Sequence, residues 1–361
     1  MHTEGHAPGR IALLGSGETS LAGGRVFESL AKVLPTPLRV AVLETPAGFE
    51  LNSDRVAGRV ADFLAVRLQN YRPQVTVIPA RQRGTRFSPD DPEITAALLH
   101  ADLMFMGPGS PTYAVRQLRD SLAWHRLIAR QRVGATLALA SAAVVAVSAL
   151  ALPVYEIYKA GHDLGWQPGL DLFGPYGLKL VFVPHWNNAE GGAELDTSRC
   201  FMGRSRFETL RAMLPADVTV VGIDEHTALA IDLADGAAQV MGAGDVTVLR
   251  GAETRCFAQG DRFSLAEFGP FAWPKPDAGL PADVWAEALA AAAADEAPSP
   301  PAEVLALVAE REAARARRDW AAADALRSRI AALGWQVRDT PEGPVTETLS
   351  RKRSDFVILS E

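Results

Sequence analysis

The chain has 361 residues, of which 48% are hydrophobic, and a formal net charge of -7 at pH 7. This apolar content can build a large core, so we expect one large globular domain with a smaller second one. The negative net charge argues against a dedicated nucleic-acid binder, although it leaves room for a local basic patch. Two cysteines, Cys200 and Cys256, are too few for a disulfide framework or a cysteine-built zinc site, which favours the reducing cytoplasm.

Two segments bear on membranes and secretion. The first ten residues, MHTEGHAPGR, are polar and lack the apolar region of a secretory signal. The run from Ala135 to Pro153 is almost wholly apolar, but it lacks the flanking charge asymmetry and the aromatic anchors of a membrane span. We therefore expect a buried segment there and no membrane partner.

Short apolar runs alternate with helical patterns over most of the chain. This alternation predicts an α/β fold with a doubly wound, mostly parallel sheet and helices on both faces. Such sheets place their chemistry at the carboxyl ends of strands, and three polar residues fall there. Ser141 follows GATLALA, His185 follows LKLVFVP and Glu225 follows VTVVGID. After about residue 245, short strand and turn patterns predict a closing antiparallel edge.

Ser141 stands where a predicted strand turns into a predicted helix. Such a junction can project a serine hydroxyl and offer backbone amides to an oxyanion. A nucleophilic serine also needs a base and a group that orients the base, and His185 and Glu225 at neighbouring strand ends could supply them. The alternative is that Ser141 is a helix N-cap and that His185 is structural. The pattern alone leaves both interpretations open.

From Ile11 to about Leu249 the sequence resembles the serine peptidases that include aspartyl dipeptidase (peptidase E) and cyanophycinase. The resemblance rests on five motifs: LLGSGE, MGPGSPTYAVRQL, ASAA, VPHWNN and GIDEHTALAI. It implies a class I glutamine amidotransferase-like, flavodoxin-like fold with no metal or cofactor. It also implies that Ser141 is the nucleophile, His185 the base and Glu225 the acid, with oxyanion amides at Ala142 and Gly109.

The same resemblance bears on the substrate, expected to be a small peptide or amide. MGRSRFETL is similar to an arginine-bearing segment of the family, so Arg204 and Arg206 are candidates to hold an acidic group. Asn187, in VPHWNN, is a further substrate-binding candidate, and Glu156 is a candidate second carboxylate near the site.

The sequence also departs from the family pattern. Ala143 replaces the glycine that the family has two places after the nucleophile, which predicts a crowded helix start. A catalytically inactive binding protein with the same fold is therefore the alternative function. Cys200 stands where cyanophycinase has its histidine, and we prefer His185 because the other register leaves the serine without a base. The loop after His185 has oxygen ligands that suit a hard cation, or is simply a polar rim: Asn187, Asn188, Glu190, Glu194 and Asp196.

The composition changes at FAWPKPDAGLP and again at the proline-rich APSPPAE. We expect an α/β domain over 10–272, a helix and linker over 273–300, a helical hairpin over 301–347 and a tail over 348–361. From Ala302 to about Thr346 the sequence resembles the C-terminal end of bacterial cysteinyl-tRNA synthetases. Arg311, Arg315 and Arg318 recur at helical spacing there, which suits either a salt-bridged solvated face or a weak tRNA contact. A homodimer is a further expectation.

Overall fold

The computed structural model describes residues 7–295, 300–340 and 343–348. The chain divides into two compact units, Met1–Ala292 and Ala293–Glu361. The predicted tail lies outside the described residues from position 349 onward.

The large unit is built around an eight-stranded sheet with the order β14-β11-β10-β1-β5-β4-β2-β3. Its five parallel strands are β1 (Ile11–Leu14), β2 (Arg39–Leu43), β3 (Gln74–Ile78), β4 (Leu103–Met106) and β5 (Thr136–Ala140). Three antiparallel strands extend it, β10 (Thr227–Asp232), β11 (Ala237–Gly242) and β14 (Arg262–Ser264). The predicted mostly parallel α/β sheet is confirmed.

Helices cover both faces of this sheet. They are α1 (Leu21–Ala31), α2 (Ser53–Arg67), α3 (Pro111–Leu118) and α4 (Leu122–Arg132). Because successive side chains point to opposite faces of a strand, β1 contributes side chains to the hydrophobic core on each face of the sheet. Ala12 and Leu14 pack with residues of α1 and α2, whereas Ile11 and Leu13 lie in the core cluster that includes residues of α4. The sheet is therefore doubly wound.

A second, four-stranded sheet has the order β13-β12-β9-β8. Its strands are β8 (Leu180–Val183), β9 (Thr219–Ile223), β12 (Val246–Arg250) and β13 (Glu253–Phe257), and α7 (Gly203–Ala212) lies between β8 and β9 in the chain. We expected the strand ends before Ser141, His185 and Glu225 to belong to one sheet, and this is corrected. The apolar pattern of VTVVGIDEHTALAI runs on without a break, but the chain turns at residues 224–226 and passes from one sheet to the other.

The helix predicted after Ser141 is shorter than the apolar run. It comprises α5 (Ala142–Ala146), after which the chain continues into β6 (Leu150–Ala151), α6 (Val154–Tyr158) and β7 (Gln167–Pro168). The helix ends early because the Ala149 N–H donates to the Leu180 carbonyl, which draws the chain alongside β8. Within the described part of the chain, no helix is both long enough and apolar enough to cross a membrane.

Helix α8 (Ala282–Asp295) lies in the segment that we expected to be a helix and linker. Its Val284 and Ala288 pack against Ala129 and Val133 at the end of α4. The buried Arg126 contacts Glu287 at 2.9 Å, and the Arg132 guanidinium donates to the carbonyls of residues 276 and 278. Residues 276–292 therefore pack as part of the large unit rather than as a linker.

The C-terminal unit contains the expected helix pair, α9 (Ala302–Ala316) and α10 (Trp320–Ala332). We expected only helices and turns to residue 347, but a strand pair follows, β15 (Trp335–Thr340) and β16 (Gly343–Thr348). The alternation of Trp335 and Val337 places both side chains in a small core with residues of α9 and α10. The buried Arg311 donates to both carboxylate oxygens of Asp339, at 2.8 and 3.0 Å, and so joins α9 to β15.

Candidate active site

Ser141 lies in a strained turn between β5 and α5. Its backbone has φ 51° and ψ -113°, a conformation that costs a non-glycine residue roughly 1–3 kcal/mol. The Ser141 N–H donates to the Leu14 carbonyl at 3.1 Å, which ties the turn to β1. The side chain makes no capping hydrogen bond to the helix that follows, so the N-cap interpretation does not describe this serine.

A continuous line of hydrogen-bonding groups joins Ser141 to two other predicted residues. The distance from Ser141 Oγ to His185 Nε2 is 3.0 Å, and His185 Nδ1 lies 2.8 Å from Glu225 Oε1. The side chains of His185 and Glu225 are 17% and 26% exposed, so these groups are partly shielded from solvent but still accessible to it. The chain thus brings together residues 141, 185 and 225, which are far apart in the sequence.

The chemistry of Glu225 fixes the proton positions on His185. Burial of the Glu225 carboxyl raises its pKa, but the hydrogen bonds from His185 and Asn188 outweigh burial, and the net pKa is lowered. An ionised carboxylate can only accept hydrogen bonds, so His185 Nδ1 carries a proton. In neutral His185 the other nitrogen, Nε2, is then unprotonated and faces the Ser141 hydroxyl as an acceptor.

Two neighbouring asparagines hold Glu225 in place. Asn188 is buried and donates from Nδ2 to Glu225 Oε1 at 2.9 Å. Asn187, predicted to contact substrate, accepts the Glu225 N–H through its Oδ1 at 2.8 Å. From the sequence, Asn188 was expected only as a cation ligand or part of a polar rim. Its position directly after Asn187 in VPHWNN was the available signal for this contact with the acid.

The turn after β4 lies beside Ser141 because β4 and β5 are parallel neighbours. Gly109 in this turn has φ 145°, and a Cβ there would lie 1.9 Å from the Pro46 carbonyl oxygen, so only glycine fits. Ala142 is the first residue of α5, where helix amides lack intrahelical acceptors. Ala143 is fully buried in the main core cluster, so its methyl group is not part of the solvent-facing surface.

Glu156 contacts the same turn rather than the serine. Its Oε1 accepts a hydrogen bond from Thr112 Oγ1, and Thr112 Oγ1 lies 3.0 Å from Ser110 Oγ. Ser110 caps α3 by accepting the Tyr113 N–H. The predicted second carboxylate therefore supports the Gly109 turn through two hydroxyls.

The two arginines predicted to bind an acidic group differ in their surroundings. Arg206 donates from Nε to the Met202 carbonyl at 2.6 Å and from Nη2 to the Phe201 carbonyl at 2.9 Å. Arg204 is exposed, and its backbone N–H donates to Asp196 Oδ2 at 2.9 Å. Arg206 thus holds the backbone near the site, whereas the Arg204 side chain faces solvent.

The other candidate chemistries have less support from the geometry. Burial raises the pKa of the Cys200 thiol to about 12, so this thiol is a poor nucleophile and a poor base. In the loop after His185, Asp196 accepts hydrogen bonds from Ser198 and Arg204, which lower its pKa to about 2. No group of three or more histidine, cysteine or acidic side chains that could hold a metal ion occurs in residues 7–295, 300–340 and 343–348.

Comparison with solved structures identifies the architecture. The crystal structure of a peptidase from an acI-B1 Actinobacterium superposes with a TM-score of 0.56 and 21% sequence identity, covering 72% of this chain and 98% of that one. The chain shares the fold of a bacterial peptidase. The peptidase-like α/β fold that the sequence motifs predicted is confirmed.

The C-terminal segment has a different set of relatives. The family described as the cysteinyl-tRNA ligase anticodon binding domain matches residues 285–343. The cysteine–tRNA ligase of Nocardioides sp. is 35% identical over 106 residues, which is 29% of this chain and 20% of that enzyme. Cysteine–tRNA ligase 1 of Burkholderia lata is 56% identical over 43 residues, 12% of this chain and 9% of that enzyme. The chain thus spans a fifth or less of these ligases, and the predicted resemblance of the segment is confirmed.

Proposed function

We propose that the protein is a serine hydrolase that cleaves a small peptide or amide. The observation that carries the proposal is the unbroken line from Glu225 through His185 to the Ser141 hydroxyl, which ends on a strained turn. A structural serine has no need of such a line, since a capping hydrogen bond would satisfy its hydroxyl. The shared fold of a bacterial peptidase supports a hydrolase of the peptidase type.

The reaction follows from the positions of the protons. Ser141 Oγ attacks the substrate carbonyl carbon while its proton passes to His185 Nε2, and Glu225 stabilises the imidazolium that forms. When the C–N bond breaks, the same proton moves from Nε2 to the leaving amine, which leaves an acyl ester on Ser141. Water then attacks the ester with His185 again as base, releases the acid and restores the serine hydroxyl.

The developing oxyanion needs two N–H donors beside Ser141. We assign this role to the backbone amides of Ala142 and Gly109, at the start of α5 and in the turn after β4. Removing one such donor typically costs on the order of 10²–10³ in rate.

An acidic group on the substrate would use the exposed Arg204, because two N–H groups of Arg206 are already bound to backbone carbonyls. Both cysteines are free thiols rather than a disulfide, and we therefore expect the enzyme to work in a reducing cytoplasm.

Hydrolysis by a single-residue variant tests the proposal. A panel of dipeptides and coumarin-labelled peptide amides is screened with the wild-type protein, and the best substrate is then tested with Ser141→Ala. We expect a loss on the order of 10³-fold or more, as for other members of a triad. The matched control is Ser205→Ala, an exposed serine on α7, which should keep wild-type activity. Equal activity of Ser141→Ala and wild type would favour the alternative of a binding protein without turnover.

The match of residues 285–343 to an anticodon binding domain supports a second candidate function, a weak contact with tRNA. Arg311 and Arg315 both pair with Asp339, whereas Arg317 and Arg318 are exposed at the end of α9. We therefore assign phosphate contact to Arg317 and Arg318. Fluorescence anisotropy with a bacterial tRNA should show binding that weakens with salt and is reduced in the double variant Arg317→Ala/Arg318→Ala. Absence of binding at 50 mM salt would exclude this contact.

A further inference from the structure

The proposed mechanism leaves an aromatic cluster beside His185 without a role. The Phe201 ring lies 5.7 Å from the His185 ring between centroids, and the Tyr158 ring lies 5.3 Å from Phe201. Tyr155 precedes Tyr158 by three residues in the chain, which places both side chains on one face of α6. Tyr155 and Tyr158 are 38% and 37% exposed, so the cluster presents apolar surface to solvent next to the base.

The backbone that carries Phe201 is strained. Arg199, Cys200 and Phe201 have φ values of 58°, 58° and 67°, a left-handed region that L-residues with bulky side chains rarely adopt. The Cys200 N–H donates to the His185 carbonyl at 3.2 Å, and the Phe201 N–H donates to the Thr197 carbonyl at 2.9 Å. Arg206 adds its hydrogen bond to the Phe201 carbonyl. Several contacts thus hold this conformation, and they keep the Phe201 ring beside the histidine.

Charges of both signs lie near the cluster, and Lys159 Nζ is 5.2 Å from the centroid of the Tyr155 ring. Burial raises the pKa of Tyr155, and the carboxylate of Glu50 adds to the rise, so negative charge lies near this surface. Arg199 donates to the Trp186 carbonyl and stacks over the Trp186 ring at 3.8 Å. Arg206 donates to the backbone as described. Arg199 and Arg206 are therefore engaged elsewhere, whereas the exposed Arg204 side chain faces solvent.

From these observations we infer that Phe201 and Tyr158 form a substrate subsite beside His185 for an apolar side chain, and preferably an aromatic one. The inference rests on the proposed function, because it names the chemistry of the group that lies next to the reacting bond. An aromatic side chain can stack on Tyr158 and Phe201 while its carbonyl faces Ser141. An aspartate at the same place could not stack on these rings, so it would lose hydration without that gain.

The test uses the full-length protein and peptide amides that differ at one position. Substrates with Phe, Ala or Asp next to the scissile bond are compared by kcat/KM, with active sites counted by a fluorophosphonate label. We expect a preference for Phe over Ala or Asp of about 10-fold or more, the size typical of apolar pockets. The preference should disappear in Tyr158→Ala and persist in Tyr158→Phe, which keeps the ring. Tyr158 is the position of choice because its ring contacts Phe201, whereas Phe201 itself packs against the base.

Two results would overturn the inference. One is a labelled wild-type protein that cleaves the Phe and Asp substrates equally well. The other is an aromatic preference that Tyr158→Ala retains in full.

A binding assay separates this inference from the proposed function. N-acetyl-phenylalaninamide should perturb the NMR signals of the Ser141→Ala protein more strongly than N-acetyl-aspartamide does. If the wild type takes no label, the hydrolase proposal fails, and this assay alone decides whether the aromatic subsite exists.

Discussion

The large unit and the C-terminal unit both bring ionisable side chains together, but with different results. In the large unit, Glu225 and His185 lie in a line that ends at the Ser141 hydroxyl, which sits on strained backbone. In the C-terminal unit, Arg311 and Arg315 both form ion pairs with Asp339, so these charged groups are partners of one another. The hydrogen-bonded line that ends at the Ser141 hydroxyl supports the proposed catalytic role, whereas ion pairs that involve only one another support a structural role.

The largest expected effect on activity comes from replacing His185, the proposed general base in the large unit. His185→Ala should reduce hydrolysis on the order of 10³-fold or more, as Ser141→Ala does, because members of a triad act as one unit. The comparison variant is Cys200→Ser, which replaces the residue that the other register would use. Its effect should be mild, since the thiol is buried and its pKa is raised to about 12. Steady-state rates of the two variants decide between the registers, and the reverse order of damage would contradict our assignment.

Two truncations test where the large unit ends. A chain that stops after Pro274 loses α8, and with it Glu287, the acidic partner of the buried Arg126, and the carbonyls of residues 276 and 278 that accept from Arg132. It should therefore lose about 3 kcal/mol of unfolding free energy or more. A chain that stops after Asp295 keeps these contacts and should remain folded and active. Urea denaturation measures both. Equal stability of the two chains would show that α8 contributes nothing to the core.

Asp339→Asn should weaken the C-terminal unit without changing hydrolysis. The hydrogen bond from Arg311 lowers the pKa of Asp339 despite partial burial, so its ionised form stabilises the fold. This stabilisation is complete above the ordinary pKa of aspartate, about 4, and is lost as the pH falls through the lowered value. Hydrogen exchange in α9 and β15 should therefore be faster in the variant at pH 7, with a smaller difference near pH 3. A difference that grows toward acid would contradict this sign.

The smallest expected effect concerns the arginines of the large unit. Rates for an Asp-X and an Asn-X dipeptide give a ratio that reports recognition of a carboxylate. Arg206→Ala should leave this ratio unchanged, because its guanidinium holds the carbonyls of residues 201 and 202. Arg204→Ala should lower the ratio, because we assign contact with an acidic substrate group to this exposed side chain. A fall of about 10-fold or more in Arg206→Ala, the size expected for a lost charged hydrogen bond, would place that residue in the site.

The sequence predicts the parts of the site that depend on local patterns. Ser141, His185 and Glu225 each follow an apolar run that folds as a strand, so their positions at strand ends could be expected. The passage from one sheet to the other at residues 224–226 could not, because the apolar pattern continues through the turn.

Contacts between distant segments were beyond the reach of sequence patterns. The hydrogen bond from Asn188 to Glu225 and the ring contact between Phe201 and His185 form only when the chain folds and brings these loops together. The packing of α8 on α4 also depends on small apolar residues, such as Ala288, whose pattern suits an exposed helix equally well. These features follow from tertiary packing rather than from periodicity.

The central claim is that His185 and Glu225 activate Ser141. Reaction of the wild-type protein with a fluorophosphonate probe, followed by mass spectrometry of the labelled peptides, tests it most directly. We expect one covalent adduct, on Ser141, and its loss in His185→Ala although the serine is still present. No adduct on Ser141, or equal labelling of Ser141 in the His185→Ala variant, would contradict it.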